Sequence, residues 1–516
     1  MSGGPYTIGI DFGTEGVRVG VFDAEGAPQG SGSCGYETKH PQAGWAEQDP
    51  DEWWSALREA VPAALRDADV EQIAGISVDA TSATVVAADA DGRPARPVIL
   101  WMDVRAAEQA KRVTATHDEA LKYNGHGAVS AEFGLPKALW LRDIEPDHYE
   151  AAQRVIDCAD WVTQRLTGED TISVNTATCK YYFDRGARGW PRELYEKLDA
   201  SDLLEKFPQD VRSVGERVGG LRRDVAEELG LSPDTAVAAG SIDAYAGALG
   251  LGVVEPGALA LITGSSHVLI AQSTEPVHDS GFWGAYPDAM VPDLHTIEAG
   301  QASTGSVVAW LKNELAGSVV AKAERRGVDP YEILGDLAGE IPPGSEGLLV
   351  LDYFQGSRSP HTDPHARGAI SGLSLSHGLG HLFRAVIEGI CYGTEDILRT
   401  LRDKGFEPKL TVVSGGPAAS ELWMQTHADV SNLPITFTKV TAGPTLGAAI
   451  AASVAAGIHP DLPTAAKAMV EFDRTIEPDP KRHEEYSFWL ERYRELYGAI
   501  RDVQHEVVRH LGRGEA

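Results

Sequence analysis

Two stretches of this chain share one layout. Thr7 to Phe22 reads TIGIDFGTEGVRVGVF, and Ala258 to Ala271 reads ALALITGSSHVLIA. Each is an apolar strand, a short polar turn containing glycine, and a second apolar strand. An opening used twice restricts the chain to an architecture built twice. The length agrees, because 516 residues are too many for one ordinary core.

The segments after the two hairpins extend the parallel. In the first half Asp23 to Gly26 is a second turn, and a third strand is expected over Gly30 to Tyr36, giving an antiparallel meander. Asp49-Pro50-Asp51-Glu52 then opens a helix with a cap, a proline in the first position and acids in the first turn. Trp53, Leu57, Val61 and Leu65 recur at fourth positions as its buried stripe. Ile73 to Val78 is an apolar strand that ends, like the first, in a carboxylate, Asp79. In the second half, Leu410 to Val413 is a strand ending in Ser414-Gly415-Gly416, and Glu421 to Val430 is the helix after it. The class is therefore α/β, with two related domains. Gly250, Gly252, Pro256 and Gly257 mark the junction, so residues 1–252 and 253–516 are expected as the domains. Pro480 to Leu511 reads as one or two charged amphipathic helices packing back on the body.

Composition excludes some functions. Lys and Arg number 45 against 76 Asp and Glu, a formal net charge of −31. That field repels nucleic acid and anionic membranes. An anionic ligand needs a local basic pocket here, whereas a neutral sugar does not. The cysteines, Cys34, Cys158, Cys179 and Cys391, are far apart and form no CxxC, as expected of buried thiols in a reducing compartment. The first strand begins almost at once, with no signal peptide before it, and the Ala-rich run Leu446 to Ile458 is too short for a membrane span. These features predict a cytoplasmic protein without membrane or nucleic-acid partners.

The turns suggest phosphate chemistry. A strand–turn–strand hairpin can cradle phosphate through inward-pointing N–H groups, with glycine allowing close approach. Thr14 adds a hydroxyl and Arg18 a cation. Asp11 either caps an ordinary hairpin or holds Mg²⁺ through oxygen. No GxxxxGK[ST] occurs, which argues against a Walker-type site. Two facing hairpins could bracket a triphosphate, with Ser414-Gly415-Gly416 approaching the nucleoside. Asp243, in GSIDA, sits at a strand end before a helix. It is either a helix cap or the acceptor of a proton from an attacking hydroxyl.

Taken together and in order, these stretches resemble the FGGY family of carbohydrate kinases over Ile8 to about Val470. IGIDFGTEGVR and ITGSSHVLIA are similar to its two phosphate motifs, GSIDAYAGALG to the segment of the catalytic base, VVSGGPAASELWMQTHADV to the adenosine segment and TLGAAIAA to the closing motif. VDATSATVV, LWMDVRA, SAEFGLPKALWL, CKYYF, IEAGQASTG and FQGSRSP resemble the ribulokinase branch most.

The resemblance implies an actin-like, ribonuclease-H-like fold, duplicated around a cleft. It implies a kinase using ATP and Mg²⁺, and a possible homodimer. Asp243 would be the base and Asp11 the metal ligand. Asp79, Ala80, Thr81, Asp103, Lys180 and Asp243 would border the sugar, with Glu132 close by. Trp101 and Trp161 could offer it apolar faces, although a core role is the other reading of each. Gly13, Thr14, Glu15 and Arg18 would meet ATP from one side. Thr263, Gly264, Ser265, Gly305, Gly415, Gly416 and Ser420 would meet it from the other.

The sequence departs from the family pattern at Glu15, whose charge beside a triphosphate is repulsive unless it faces Mg²⁺ or solvent. It departs again at Ala418-Ala419-Ser420, where the family often has Asn. His126, Ser130 and Tyr245 are of the type that tunes sugar stereochemistry. The expected reaction is transfer of the γ-phosphate to the terminal primary hydroxyl of a ketopentose, ribulose first. Alternatives are xylulose, erythrulose, ribitol, arabinitol or erythritol, an ATP-gated assembly protein, or a sugar sensor without turnover.

Overall fold

The computed structural model describes residues 4–125, 127–186 and 189–512, so His126 lies outside the described residues. The first sheet contains β1 (Tyr6–Phe12), β2 (Gly16–Phe22), β3 (Pro28–Gly35), β4 (Ile73–Ala80) and β5 (Ala236–Ala238), in the order β3-β2-β1-β4-β5. The second contains β6 (Ala258–Thr263), β7 (His267–Ser273), β8 (His295–Gln301), β9 (Leu410–Ser414) and β10 (Ile435–Thr438), in the order β8-β7-β6-β9-β10. In both, the first three strands are antiparallel and the last two run parallel to the first. The duplication is thus one of topology as well as of hairpins.

Local chemistry explains the main helices. Helix α1 (Pro50–Ala64) starts where the Asp49 carboxylate accepts from the Asp51 amide at 3.0 Å, and its expected stripe is buried. Helix α2 (Gly134–Ile144) is buried over its first eight residues. Helix α3 (Asp243–Gly250) opens directly after the short strand Ser241–Ile242, which pairs with β4. Helix α4 (Glu421–Ser431) comes after β9.

Helix α5 (Gly443–Ala455) comes from the second half of the chain, yet it packs on β1, β4 and α3. The close approach needs glycine. A Cβ on Gly9 of β1 would lie 1.8 Å from the Thr445 carbonyl oxygen, and one on Gly447 would lie 1.8 Å from that of Ala246. Helices α3 and α5 therefore join the two halves. The apolar core passes from the first sheet through them to Ala260, Ile270 and Val412 of the second sheet. The alternate residues Leu259, Leu261 and Leu269 face a second core, as period-two strands require.

That second core is closed by a single helix, α6 (Pro480–Gly512), through Tyr486, Leu490, Tyr493 and Tyr497. Among the described residues no helix is long and apolar enough to cross a membrane.

Candidate active site

The site is built where β1, β4 and α3 meet. Asp11 and Asp79 are register partners on parallel strands, and Asp79 is in register with Ser241, two residues before Asp243. Three carboxylates are thereby gathered by topology alone. Burial raises the Asp11 carboxyl, with Arg18 opposing the shift. Burial, then Asp11 and Asp243, push Asp79 well above the usual carboxylate range. Burial, then Asp11, push Asp243 up to about 7. Each charge makes the next harder to form.

Arg18, opposite Asp11 on β2, reaches it at 2.7 Å, but its side chain is 63% exposed, so water screens the pair. Asp11 Oδ1 and both Asp79 oxygens are buried and receive no donor from any other group among the described residues, the two carboxyls being each other's neighbours. Unpartnered carboxylate oxygens are what a hard divalent cation takes. No three His, Cys, Asp or Glu side chains are grouped as a metal cage among the described residues.

Beside these carboxylates is a cavity of about 380 Å³. The first half contributes Thr14, Thr81, Ser82, Trp101, Ser130, Glu132, Phe133, Lys180 and Asp243, and the second half contributes Val268, Trp283, Glu298 and Arg358. Asp243 Oδ1 accepts from the Ala244 amide at 2.7 Å at the start of α3. Its Oδ2 is left without a partner among the described residues. Asp243 is thus the first residue of α3 and not its cap, which is Ile242 without a side-chain cap bond, and Asp243 lines the cavity. Tyr245 donates to Glu298 Oε2 at 3.1 Å and receives from Cys179 Sγ at 3.3 Å, which fixes the Glu298 carboxylate on the far wall.

A larger cavity, of about 940 Å³, lies among Trp54, Arg154, Arg165 and Arg222. Those cations are paired with Asp170, Asp51 and Asp224. Of the expected site residues only Trp161 borders it. The smaller cavity gathers most of the expected sugar-side residues.

Of the two turns, the first lines it through Thr14, whereas no residue of the second, Thr263–Ser266, is part of its wall. Gly13 closes the first by donating to the Gly16 carbonyl at 3.1 Å. Thr14 is held on both sides, its carbonyl by Gln48 Nε2 at 2.7 Å and its hydroxyl by the Trp101 indole at 3.1 Å. The second turn docks on the start of the helix Gly305–Trp310. There Thr304 donates to the Ser265 carbonyl at 2.9 Å and Gly305 to that of Gly264 at 3.1 Å. Thr263 donates to the Ser414 carbonyl at 2.6 Å. Gly415 has φ 101°, and a Cβ there would sit 1.8 Å from the Thr263 carbonyl oxygen, so only glycine lets these loops meet. Gly416 is exposed, with nothing nearby.

The N-terminal domain model of the FGGY family of carbohydrate kinases matches residues 6–250, and its C-terminal domain model matches 259–456. The chain belongs to the FGGY family of carbohydrate kinases. It is 33% identical to a ribulokinase of Shouchella clausii, covering 98% of this chain and 97% of that one. It is 31% identical to an FGGY carbohydrate kinase domain-containing protein of Xenopus laevis, covering 98% of each. Among solved structures, a xylulose kinase from Rhodospirillum rubrum superposes with a TM-score of 0.88 at 28% identity, over 97% of this chain and all of that one. The protein is thus an ATP-dependent sugar kinase with the duplicated α/β fold of its family.

Within this kinase the expected residues divide. Thr14, Thr81, Trp101, Glu132, Lys180 and Asp243 come together on the cavity wall, and Ser130 and Tyr245 join them. Asp79 and Ala80 are fully buried one layer beneath it. Asp103 does not line the cavity. It accepts from Arg105 and from the Ala46 amide with no exposed surface, because Arg105, clamped over Trp45, needs a counterion. Trp161 is a core residue, packed on Trp53 with its indole donating to the Gly92 carbonyl at 2.9 Å. Ser420 caps α4, accepting from the Trp423 amide at 3.4 Å, and Glu15 is exposed to solvent.

Sequence reasoning missed Glu298, Arg358 and Trp283. Glu298 carried a usable signal, a carboxylate interrupting the apolar strand around Ile297 and Ala299. That is the signal that singled out Asp11.

Proposed function

We propose that this kinase phosphorylates the terminal primary hydroxyl of a ketopentose, ribulose foremost, with Mg-ATP as donor. The observation that carries the reading is Asp243 on the wall of a cavity shared by both halves and bordered by Thr14 of the first phosphate-type turn. At about 7, this carboxyl is suited to take a proton at neutral pH. Lys180, Glu132, Glu298 and Arg358 supply charged groups for sugar hydroxyls, each able to hold one or two by charge-assisted bonds.

Asp243 accepts the hydroxyl proton as the sugar oxygen bonds to the γ-phosphorus. The bond from that phosphorus to the β,γ-bridging oxygen breaks, and ADP departs with the electron pair. Thr14, Arg18 and the Thr263–Ser266 turn stabilise the transferring group. Bound Mg²⁺ would supply charge neutralisation of the triphosphate, with Asp11 as its ligand and Asp79 behind it. Gly13, Gly264, Ser265, Gly305, Gly415 and Gly416 form the close-approach surface for the nucleotide. We also place the domain division near residue 252, in keeping with the gap between the two family models.

The test is ADP release with Mg-ATP against D- and L-ribulose, D- and L-xylulose, erythrulose, ribitol, arabinitol, erythritol and glycerol. Strong turnover with one ribulose enantiomer supports the proposal. Preference for xylulose, the substrate in the name of the Rhodospirillum rubrum neighbour, or for a polyol replaces the sugar while keeping the kinase.

A further inference from the structure

Helix α2 buries a lysine at a position where an aliphatic residue would pack well. Leu135, Ala138, Leu139 and Trp140 around it are all buried, and Lys137 itself has no exposed surface. A buried ammonium is costly unless every N–H is used. Here all three are: Lys137 Nζ donates to the carbonyls of Ala83 at 2.9 Å, Leu100 at 2.6 Å and Trp101 at 3.0 Å.

Two of those carbonyls, of Ala83 and Trp101, belong to residues of the cavity wall. Ala83 borders the cavity and is held at φ 53°, a left-handed conformation that a non-glycine residue adopts only when its surroundings impose it. Trp101 borders it too, and its indole donates to Thr14 Oγ1 on the first phosphate-type turn. The lysine's own helix is preceded by Glu132 and Phe133, two further wall residues, and the Phe133 ring lies 5.0 Å from the Lys180 ammonium. One buried lysine, its ammonium lowered to about 7 by burial, thus ties together three separate wall segments.

We infer that Lys137 is a positioning residue of the sugar pocket: it fixes the Ala83 and Trp101 walls to helix α2 and, through Trp101, sets Thr14 beside the phosphates. Lys137 touches neither substrate. The inference rests on the sugar-kinase reading of this cavity.

Two measurements test it. Hydrogen–deuterium exchange of the ligand-free protein needs no turnover. In Lys137→Met, peptides covering residues 81–84 and 99–103 exchange faster, while the 258–273 hairpin keeps its wild-type rate. In kinetics, Lys137→Met raises the sugar KM roughly 10- to 100-fold and leaves the ATP KM within about twofold, as misplacement of binding groups by an ångström does.

Lys137→Ala separates charge from filling. Propylammonium added to it restores the sugar KM, and propanol does not. If either variant fails to fold, Trp101→Phe, with Lys137 intact, still raises the sugar KM and lowers kcat through loss of the Thr14 bond. Unchanged exchange at 81–84 and 99–103, equal rescue by propanol, or a wild-type KM in Lys137→Met or Trp101→Phe overturns the inference. A wild type that turns over no sugar defeats the substrate reading, while the exchange data still decide Lys137.

Discussion

Asp243→Asn should make the protein more stable, and only above a certain pH. The Asp243 carboxyl is raised from its ordinary 3.8 to about 7 by burial and by the Asp11 charge. Between those values the folded state holds a proton that the unfolded state has released, so stability falls as pH rises through that window. The cost is absent below about pH 4 and fully present above about pH 7. A shift of about three units corresponds to roughly 4 kcal/mol at most, at about 1.4 kcal/mol per unit. Sharing of that cost with Asp11 and Asp79 brings it to about 2 kcal/mol or more. Asparagine removes the charge while its Oδ1 still accepts from the Ala244 amide. For a cooperative unit of about 250 residues, 2 kcal/mol is roughly 4 °C in Tm. Thermal unfolding of both proteins from pH 4.5 to 8.5 therefore shows a gap of about 4 °C or more at pH 8 that closes toward pH 4.5. A gap that is zero or independent of pH would overturn the electrostatic reading of the carboxylate cluster.

Other consequences concern single contacts. Tyr245→Phe removes the donor to Glu298 and the acceptor of Cys179. Loss of a hydrogen bond to a carboxylate is worth about 1.5–3 kcal/mol, so the sugar KM should rise by about tenfold or more with the ATP KM unchanged. Gly415→Ala must place a Cβ into the Thr263 carbonyl at φ 101°, so the ATP KM should rise at least about tenfold and Tm should fall, backbone strain of this kind being worth about 1–3 kcal/mol. Asp11→Asn should raise the Mg²⁺ concentration for half-maximal rate by about tenfold or more, read in a metal titration, because a neutral amide oxygen is a weaker ligand for a hard cation.

Much of the fold was legible because strands announce themselves locally. The hairpins, the Asp49 cap and the Trp53 stripe all involve residues close in sequence, and each falls where expected. Asp11, Asp79 and Asp243 could each be picked out as a carboxylate at the end of an apolar strand, but their meeting depends on the register between distant strands. Partnerships across the chain could not be read. Asp103 looked like a sugar ligand until Arg105, lying over Trp45, claimed it. The Ala-rich run at Gly443–Ala455 could be recognised as helical packing material, but not as the helix that crosses to the first sheet, because the contact depends on Gly9 far away. Arg358 lies in a loop, where no period says which way a side chain turns. Lys137 was hidden for the opposite reason, a charge inside the apolar first eight residues of its helix.

The chemistry stands or falls on whether Asp243 takes the proton from the sugar hydroxyl. It is decided by the turnover of Asp243→Asn with the preferred sugar, measured beside calorimetric binding of that sugar and of Mg-ATP to the same variant. Both ligands should still bind, with Kd changed by less than roughly tenfold, while kcat falls roughly 10²- to 10⁴-fold, the usual share of a general base. Turnover near the wild-type rate would remove Asp243 from the proton transfer.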